Sequence, residues 1–340
     1  SEDINNVSYA LVTKGAMNEV FTPAFSQVQE SLKNLAQQWR DEPMLSRTHG
    51  QPATPTTMGK EIAVFAHRLT GIAGRLEAIP YLAKFSGATG TFSAHVVAEP
   101  AVNWPVVSKT FVEGLGLSWN PLTTQIESHD ALAELLTTLA HGNRILHNLC
   151  TDIWTYISLG YLTQIPEPGA TGSSTMPHKI NPIRFENAEA NLEISSALLD
   201  SLASTLVTTR LQRDLTDSST LRNLGVAFGH SLLALTNIHK GLGDIALNSA
   251  ALAADLAANE EVLAEAIQMV IRAEIVRGSS SLQDPYAVVK ELTRGHKVGA
   301  EELSAFIAKL DISETAKKSL RDLSPQTYVG LASSLVDYLD

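Results

Sequence analysis

The segment TMGKEIAVFAHRLTGIAGRLEAIP, residues 57–80, decides the fold class of this 340-residue chain. Its apolar residues follow one another at alternating intervals of four and three positions: Met58, Ile62, Phe65, Leu69, Ile72, Leu76 and Ile79. This period of about 3.5 residues, sustained over three heptads, is typical of a long helix packed in a bundle. We therefore predict a helix over residues 57–79.

Several other segments also predict long helices. Residues 132–156 repeat the apolar stripe, and residues 182–209 and 218–247 contain no proline after their first residue. A first helix is predicted from Ile4 to Arg40, with Pro23 as a kink or break. Strand signals are scarce, so the predicted fold is all-α, a long-helix bundle. Because such helices often recruit partners to cover their remaining apolar stripes, we expect a homo-oligomer.

The pattern changes after residue 247. Shorter helical pieces are separated there by breakers such as Asp284-Pro285 and Ser324-Pro325, the latter resembling an N-cap followed by proline at the first helical position. We predict a central long-helix bundle domain over residues 1–247 and a smaller C-terminal helical domain over residues 248–340.

Composition excludes several classes of protein. The chain has 36 acidic and 25 basic residues, a net charge of −11, and no block of Lys or Arg. Nucleic acid and anionic membranes are therefore not expected partners, although a local basic pocket for a small anion is possible. Cys150 is the only cysteine, which excludes an intrachain disulfide and a cysteine-based zinc site. We see neither a membrane span nor a signal peptide and expect a cytoplasmic protein.

Chemistry in a helical protein is expected in its irregular polar segments. The first is SRTHGQPATP, residues 46–55, which we interpret as an extended turn; His49 is a candidate general acid or base there. The alternative is a histidine hydrogen-bonded for structure. No second histidine or carboxylate lies four residues on, so the spacing does not support a zinc motif.

A second segment, GATGSSTMPHKINP, covers residues 169–182 and precedes a predicted helix. Its glycines and hydroxyls indicate a mobile segment, and the helix N-terminus together with Lys179 would favour an anion. A flexible linker explains the glycines but not the MPHKINP cluster.

The third segment, residues 210–222, interleaves three arginines with hydroxyls, a pattern that suits bidentate binding of carboxylates or phosphate. The alternative is a solvated loop whose Arg and Asp residues pair with each other. A smaller segment, TTQIESHD at residues 123–130, places Gln125 and Glu127 just before a long helix.

The stretch GSSTMPHKINP, residues 172–182, resembles the signature of the fumarase/aspartase superfamily of lyases. Residues 48–55, 124–127, 213–222 and 1–6 together resemble the bacterial adenylosuccinate lyase family, and the resemblance extends over essentially the whole chain. Fumarase and argininosuccinate lyase relatives carry different residues where 1–6 stand here.

The resemblance implies a β-elimination that releases fumarate from adenylosuccinate, giving AMP, and from SAICAR, giving AICAR, in purine biosynthesis. Ser173 would be the general base and His49 the general acid. Positions that bind or orient the nucleotide and succinyl parts are matched by Ser1, Thr48, Gln125, Lys179, Asn181, Asn187, Arg213, Ser218 and Arg222. Glu186 matches an acidic position that lies behind the residues that touch the substrate. Family members are homotetramers with active sites shared among three subunits, and they use no metal or organic cofactor.

Two departures from the family pattern affect these expectations. The chain starts inside a motif that in the family follows a whole N-terminal domain, so we expect a truncated bundle domain and an incomplete, inactive site. Ser128 stands where relatives commonly carry proline. Two other functions stay open: another fumarate-releasing lyase of the superfamily, and a non-catalytic helical scaffold. The presence of both Ser173 and His49 argues against the scaffold.

Overall fold

The computed structural model describes residues 2–166, 176, 179–293 and 298–339, and helices dominate them. The long helices and those around them are α1 (Asp3–Gly15), α2 (Thr22–Gln38), α3 (Met58–Ala78), α4 (Ser93–Ala98), α5 (Trp104–Gly114), α6 (Asp130–Ser158), α7 (Ile183–Leu206), α8 (Thr216–Leu221) and α9 (Leu224–Gly243). The C-terminal helices are α10 (Ser249–Ala257), α11 (Ala264–Val276), α12 (Pro285–Thr293), α13 (Ala300–Lys309), α14 (Glu314–Arg321) and α15 (Ala332–Leu335). One π-helical segment (Ala16–Phe21) and two 3₁₀ segments (Glu260–Leu263 and Val336–Leu339) complete the helical part.

The strands in these residues are short and pair two by two. They are β1 (Pro43–Thr48), β2 (Gln51–Thr57), β3 (Leu82–Ala83), β4 (Ser118–Trp119), β5 (Leu162–Gln164) and β6 (Ile245–Leu247). β1 pairs with β2 in an antiparallel hairpin, β3 lies parallel to β4, and β5 pairs with β6. The all-α prediction is confirmed, since none of these strands forms a layer of the core.

The chain forms two compact units. The first comprises Ser1–Ser31, Phe65–Thr155 and Gln164–Ile245, and the second comprises Leu32–Val64, Tyr156–Thr163 and Ala246–Asp340. The predicted division between residues 247 and 248 stays a prediction. None of the helices within the described ranges is both long and apolar enough to cross a bilayer.

Small and polar residues fix how the helices of the first unit pack. Gly241 of α9 lies so close to α7 that an added Cβ would stand 2.8 Å from the Phe185 ring. Asn143 of α6 donates to the Ser195 hydroxyl of α7 at 3.1 Å, and Ser231 of α9 donates to the Asn143 amide oxygen at 3.0 Å. All three polar side chains are buried. Because a buried polar group without partners is costly, this network favours one register of the three helices.

The second unit packs its C-terminal helices around a core of their own. The buried residues of that core come from the segment between Leu263 and Leu320, with Ile267, Ile271 and Ile307 almost fully enclosed. The predicted change to shorter helices after residue 247 is confirmed here. Ser324-Pro325, however, begins a turn closed by the Ser324 and Thr327 hydroxyls rather than a helix.

Two long helices differ from the prediction. The helix expected over Ile4–Arg40 passes through the π-helical segment, which ends two residues before Pro23, and the Thr22 N–H that follows it donates to the Met17 carbonyl. Proline has no N–H to donate to the preceding turn, and a π-bulge accommodates that loss without ending the helix. The single helix expected over 218–247 is wrong, because α8 ends at Leu221 and a separate α9 ends at Gly243.

Candidate functional site

Arg213 gathers three segments of the first unit around its guanidinium group. It lies in the connection between α7 and α8, and its Nη1 donates to the Gln125 amide oxygen at 3.0 Å. Its Nη2 donates to the Ser218 hydroxyl at 2.9 Å. The third contact is an ion pair of 2.7 Å between Nη1 and Glu2 Oε1, immediately before α1. Three residues singled out in the sequence, Gln125, Arg213 and Ser218, are thus brought together, and we call them with Glu2 the Arg213 cluster.

Two carboxylates face this one guanidinium. Glu2 is buried, and so is Asp217, whose Oδ1 lies 4.0 Å from Arg213 Nε. The Arg213 side chain is itself only 22% exposed. Because charges are weakly screened away from water, Arg213 and its acidic partners hold one another in place far more firmly than an exposed pair would. A guanidinium with five fixed donors suits bidentate recognition of a carboxylate or phosphate.

His129 is a buried histidine beside the Arg213 cluster that sequence reasoning did not single out. It has a φ of +62°, and its backbone N–H donates to Glu127 Oε2 at 2.8 Å. Glu127 is in turn held by Asn120, whose amide donates to Oε1 at 2.8 Å. Burial lowers the pKa of His129, although the carboxylates of Glu127, Asp217, Glu2 and Asp130 oppose that shift. Burial thus favours the neutral imidazole at this position.

A second buried ion pair lies at the start of the segment 84–93. The Lys84 ammonium, fully enclosed, pairs with Asp3 Oδ1 at 2.7 Å and donates to the Gly87 carbonyl at 3.0 Å. Asp3 also accepts hydrogen bonds from the backbone N–H groups of Ser86 and Gly87. The residues Lys84, Asp3, Glu2 and His129 were missed by the sequence analysis.

The same segment reaches the Arg213 cluster through Gln125. The Gln125 Nε2 donates to the Ala88 carbonyl at 2.9 Å, while its Oε1 accepts from Arg213. Gly90 has a φ of +77°, and a Cβ there would stand 2.1 Å from the Thr123 carbonyl oxygen. The glycines and hydroxyls of SGATGT, residues 86–91, were the signal available in the sequence.

His49 lies in the second unit, at the turn of the β1–β2 hairpin. Thr48 pairs with Gln51, so His49 and Gly50 alone form the connection. Their φ angles of +53° and +74° are those of a type I′ turn, which matches the twist of the flanking strands. The segment interpreted as an extended turn is therefore a hairpin, and Thr48 and His49 are both exposed on it.

The hairpin is anchored close to His49. Arg47 Nη2 pairs with Asp255 Oδ2 at 2.5 Å, and Tyr161 donates its hydroxyl to the same carboxylate. Burial, with help from Asp255, raises the pKa of Tyr161 to about 12. His49 is exposed on this anchored hairpin, and within the described residues its imidazole makes no hydrogen bond.

Two further predicted residues precede the start of α7. Lys179 and Asn181 are exposed just before it, and the Gln164 amide donates to the Ile180 carbonyl at 2.6 Å. Arg222 is exposed at the C-terminal end of α8. Ser173 and Ser1 lie outside the described residues.

A ladder of polar pairs between α6 and α7 positions Glu186. The Trp154 indole N–H donates to Glu186 Oε1 at 3.1 Å. Further along the antiparallel helices follow the pairs Thr151–Glu189, His147–Glu193 and Arg144–Asp200. Because these pairs are spaced along both helices, they fix the register of α6 against α7. They thereby also fix the position of the first turn of α7.

The polar groups of the described residues assemble a cluster centred on the Arg213 guanidinium. Among them no group of three or more His, Cys, Asp or Glu side chains is arranged to hold a metal ion. In the Arg213 cluster the guanidinium donates to an amide oxygen and to a hydroxyl and pairs with a buried carboxylate; a guanidinium is the group best suited to bidentate contact with carboxylates and phosphates.

Comparison with known proteins identifies relatives along the whole chain. Residues 1–193 match the family described as "Lyase", and residues 209–329 match "Adenylosuccinate lyase C-terminal". The chain is 50% identical over 336 residues to adenylosuccinate lyase of Legionella pneumophila (strain Corby), covering 99% of this chain and 72% of that protein. It is 48% identical over 339 residues to adenylosuccinate lyase of Escherichia coli (strain K12), covering 100% of this chain and 73% of that protein.

Two solved structures share the fold. The fumarate lyase from Mesorhizobium sp. BNC1 superposes with a TM-score of 0.77 at 22% identity, covering 100% of this chain and 76% of that one. The 3-carboxy-cis,cis-muconate lactonizing enzyme from Pseudomonas putida gives a TM-score of 0.74 at 21% identity, covering 99% and 75%. At this identity the likeness shows the helical architecture and not the reaction.

Proposed function

The chain belongs to the adenylosuccinate lyase family, and we propose that its Arg213 cluster binds the anionic part of the substrate during β-elimination. The protein is a lyase, and its reaction splits adenylosuccinate into AMP and fumarate in purine synthesis. The same elimination on SAICAR gives AICAR and fumarate.

The reaction needs an acid and a base on opposite ends of the breaking bond. A base removes a proton from the succinyl carbon next to the carbon that bears nitrogen, the C–N bond breaks, and an acid protonates the leaving nitrogen. We assign Ser173 as the base and His49 as the acid. A serine hydroxyl is a weak base, so it requires a positive surrounding, which Lys179 and the N-terminus of α7 would supply.

Cationic donors stabilise the charge that develops on the substrate. As the proton leaves, negative charge spreads onto the adjacent carboxylate, and donors already in place lower the barrier. We assign Arg213, Lys179 and Arg222 to the carboxylates and phosphate of the substrate, with Thr48, Asn181 and Ser1 as neutral donors.

The observation that carries the proposal is the convergence of Gln125, Arg213 and Ser218. These residues belong to two segments, and Gln125 and Arg213 are 88 positions apart in the sequence; the polar atoms of the three residues meet within 3.0 Å. The alternative for residues 210–222, a solvated loop whose Arg and Asp residues pair with each other, accounts for the Asp217 contact but not for the contacts of Arg213 with Gln125 and Glu2.

Glu186 and Asn187 lie near the start of α7, which begins at Ile183. We propose that Glu186, which accepts a hydrogen bond from the Trp154 indole, supports the catalytic groups without touching the substrate. Asn187, in contrast, touches the substrate directly. The α6–α7 ladder supports this, because it fixes the turn that carries both residues.

We further propose a homotetramer that works in the cytoplasm. Large apolar side chains stand exposed on three helices of the first unit: Val12 on α1, Ile183 on α7 and Val226 on α9. Helices that expose such residues gain stability when another subunit covers them. The single cysteine, Cys150, is buried and free, as suits a reducing compartment.

Substrate specificity tests the proposed function. Protein expressed from its complete coding sequence is given adenylosuccinate or argininosuccinate in parallel, and fumarate is quantified with a coupled enzyme. We expect fumarate from adenylosuccinate at least about 10³-fold faster, since a site that binds the nucleotide part of its substrate rejects an analogue that lacks it. Fumarate from argininosuccinate alone would overturn the substrate assignment and leave only the superfamily reaction.

A further inference from the structure

Asn187 is held by two other asparagines in a defined orientation. Its side-chain oxygen Oδ1 accepts a hydrogen bond from Asn237 Nδ2 of α9 at 3.0 Å and one from Asn191 Nδ2 of α7 at 3.2 Å. Two donors on one oxygen fix which arm of the amide faces the helices. Asn187 Nδ2 therefore points away from Asn237 and Asn191.

Main-chain carbonyls determine the orientation of both donors. Asn237 Nδ2 also donates to the Leu233 carbonyl at 3.0 Å, and Asn191 Nδ2 also donates to the Asn187 carbonyl at 2.8 Å. A carbonyl can only accept, so nitrogen must stand at these positions. Neither amide can reverse without losing a bond to the backbone.

His230 completes the network from α9. Its Nδ1 lies 2.7 Å from Asn191 Oδ1. Because Asn191 Nδ2 donates to Asn187, the atom of Asn191 that faces His230 is the acceptor Oδ1. His230 must therefore carry a proton on Nδ1. Asn191 is buried, so reversing its amide would leave unsatisfied polar atoms there.

We propose that Asn191, Asn237 and His230 are positioning residues that set Asn187 as a hydrogen-bond donor toward a carboxylate or carbonyl oxygen of the substrate. This inference rests on the proposed function, which places Asn187 in contact with substrate. With its amide reversed, Asn187 would turn Oδ1 toward an anionic substrate and repel it. The three residues therefore select for an acceptor on the ligand without touching it.

Two substitutions at Asn237 separate positioning from simple structural support. Asn237→Ala removes one donor and leaves Asn191 to hold Asn187. Asn237→Asp has nearly the same shape but offers only acceptors, so it repels Asn187 Oδ1 and favours the reversed amide. A structural role predicts that alanine does at least as much damage as aspartate, whereas the positioning role predicts the opposite order.

The experiment measures kcat and KM for adenylosuccinate on protein from the complete coding sequence. We expect Asn237→Asp to raise KM about 10- to 100-fold with kcat changed less than about threefold, and Asn237→Ala to raise KM less than about fivefold. Asn148→Asp, the same substitution on the exposed face of α6, is the matched control and should leave both constants unchanged. In an Asn187→Ala background the effect of Asn237→Asp should vanish, because its target is gone.

The outcomes distinguish this inference from the proposed function. If the unmodified protein cleaves adenylosuccinate but Asn237→Asp behaves like Asn237→Ala, or keeps its effect without Asn187, the positioning role is overturned and the function stands. If the unmodified protein does not cleave adenylosuccinate, the function falls. The network is then tested by ¹⁵N NMR of the imidazoles, assigned with His230→Gln. An Nδ1-protonated His230 supports the network, and an Nε2-protonated tautomer overturns it.

Discussion

Replacing Arg213 with methionine is the perturbation whose cost follows most directly from the structure. The substitution keeps a long flexible side chain but removes the ion pair to Glu2 at 2.7 Å and the bonds to Gln125 and Ser218. Glu2 and Asp217 are left as buried carboxylates without their cation. We expect a loss of folding stability and of substrate affinity together.

The magnitude comes from the burial of the pair. Removing one partner of a buried ion pair costs about 3–5 kcal/mol, because the other charge stays behind. The Arg213 side chain keeps 22% exposure and that of Glu2 10%, so some water reaches the pair, and we take the lower end, about 3 kcal/mol. If Arg213 also binds a substrate anion, KM rises about 100-fold.

Arg210→Met is the matched control in the same loop. Arg210 pairs with Asp214 four residues on at 2.8 Å, but its side chain is 82% exposed. An exposed pair of this kind contributes almost nothing to stability. Urea unfolding followed by circular dichroism gives both free energies of unfolding by linear extrapolation. Equal stability and equal KM in the two variants would refute the view that burial makes Arg213 special.

Three further predictions concern packing, protonation and catalysis. Gly241→Ala should destabilise the protein by about 1–2 kcal/mol, because the added methyl group meets the Phe185 ring at 2.8 Å. Gly229→Ala, with open space around it, should stabilise it by up to about 1 kcal/mol; the reverse order in urea unfolding would contradict this packing. Burial lowers the pKa of His129 in the folded protein. The free energy of unfolding that comes from the neutral imidazole is therefore complete above about pH 6.5 and is lost as pH falls toward the folded pKa. His129→Gln should make this acid-side decrease in the free energy of unfolding shallower. Parallel acid limbs of the pH–stability curves for wild type and variant would contradict it. His49→Gln should lower kcat about 10²- to 10⁴-fold without changing the melting temperature, since His49 lies on an exposed turn; a shifted melting temperature would make it structural.

The long helices were predictable because their signal is local and repeated. The 3.5-residue period predicted a helix over 57–79, and α3 runs from Met58 to Ala78. The π-helical segment before Pro23 was not predictable in detail, since proline signals a disturbance but not how the backbone absorbs it.

The hairpin was missed for a specific reason. Its turn is His49-Gly50, whereas the strong sequence signals for a type I′ turn are Asn-Gly and Asp-Gly. Proline is disfavoured inside a sheet, yet Pro52 and Pro55 both lie in β2, one of the two strands of a two-stranded hairpin that has no third strand to pair with.

Glu2, Asp3 and Lys84 were not predicted as site residues, because their ion pairs join distant parts of the sequence. Glu2 meets Arg213 and Asp3 meets Lys84 across large separations along the chain, and no local spacing marks such pairs. Gln125 and Arg213 were found through their motifs, yet only the fold shows that one is the hydrogen-bond partner of the other.

The most direct test of the account is a continuous absorbance assay of adenylosuccinate cleavage on protein from the complete coding sequence, unmodified and with Ser173→Ala. The account predicts that the unmodified protein forms AMP and fumarate, while the variant folds with the same melting temperature and turns over at least about 10²-fold more slowly. A Ser173→Ala variant as active as the unmodified protein would contradict the assignment of the base, and an unmodified protein without activity would contradict the function itself.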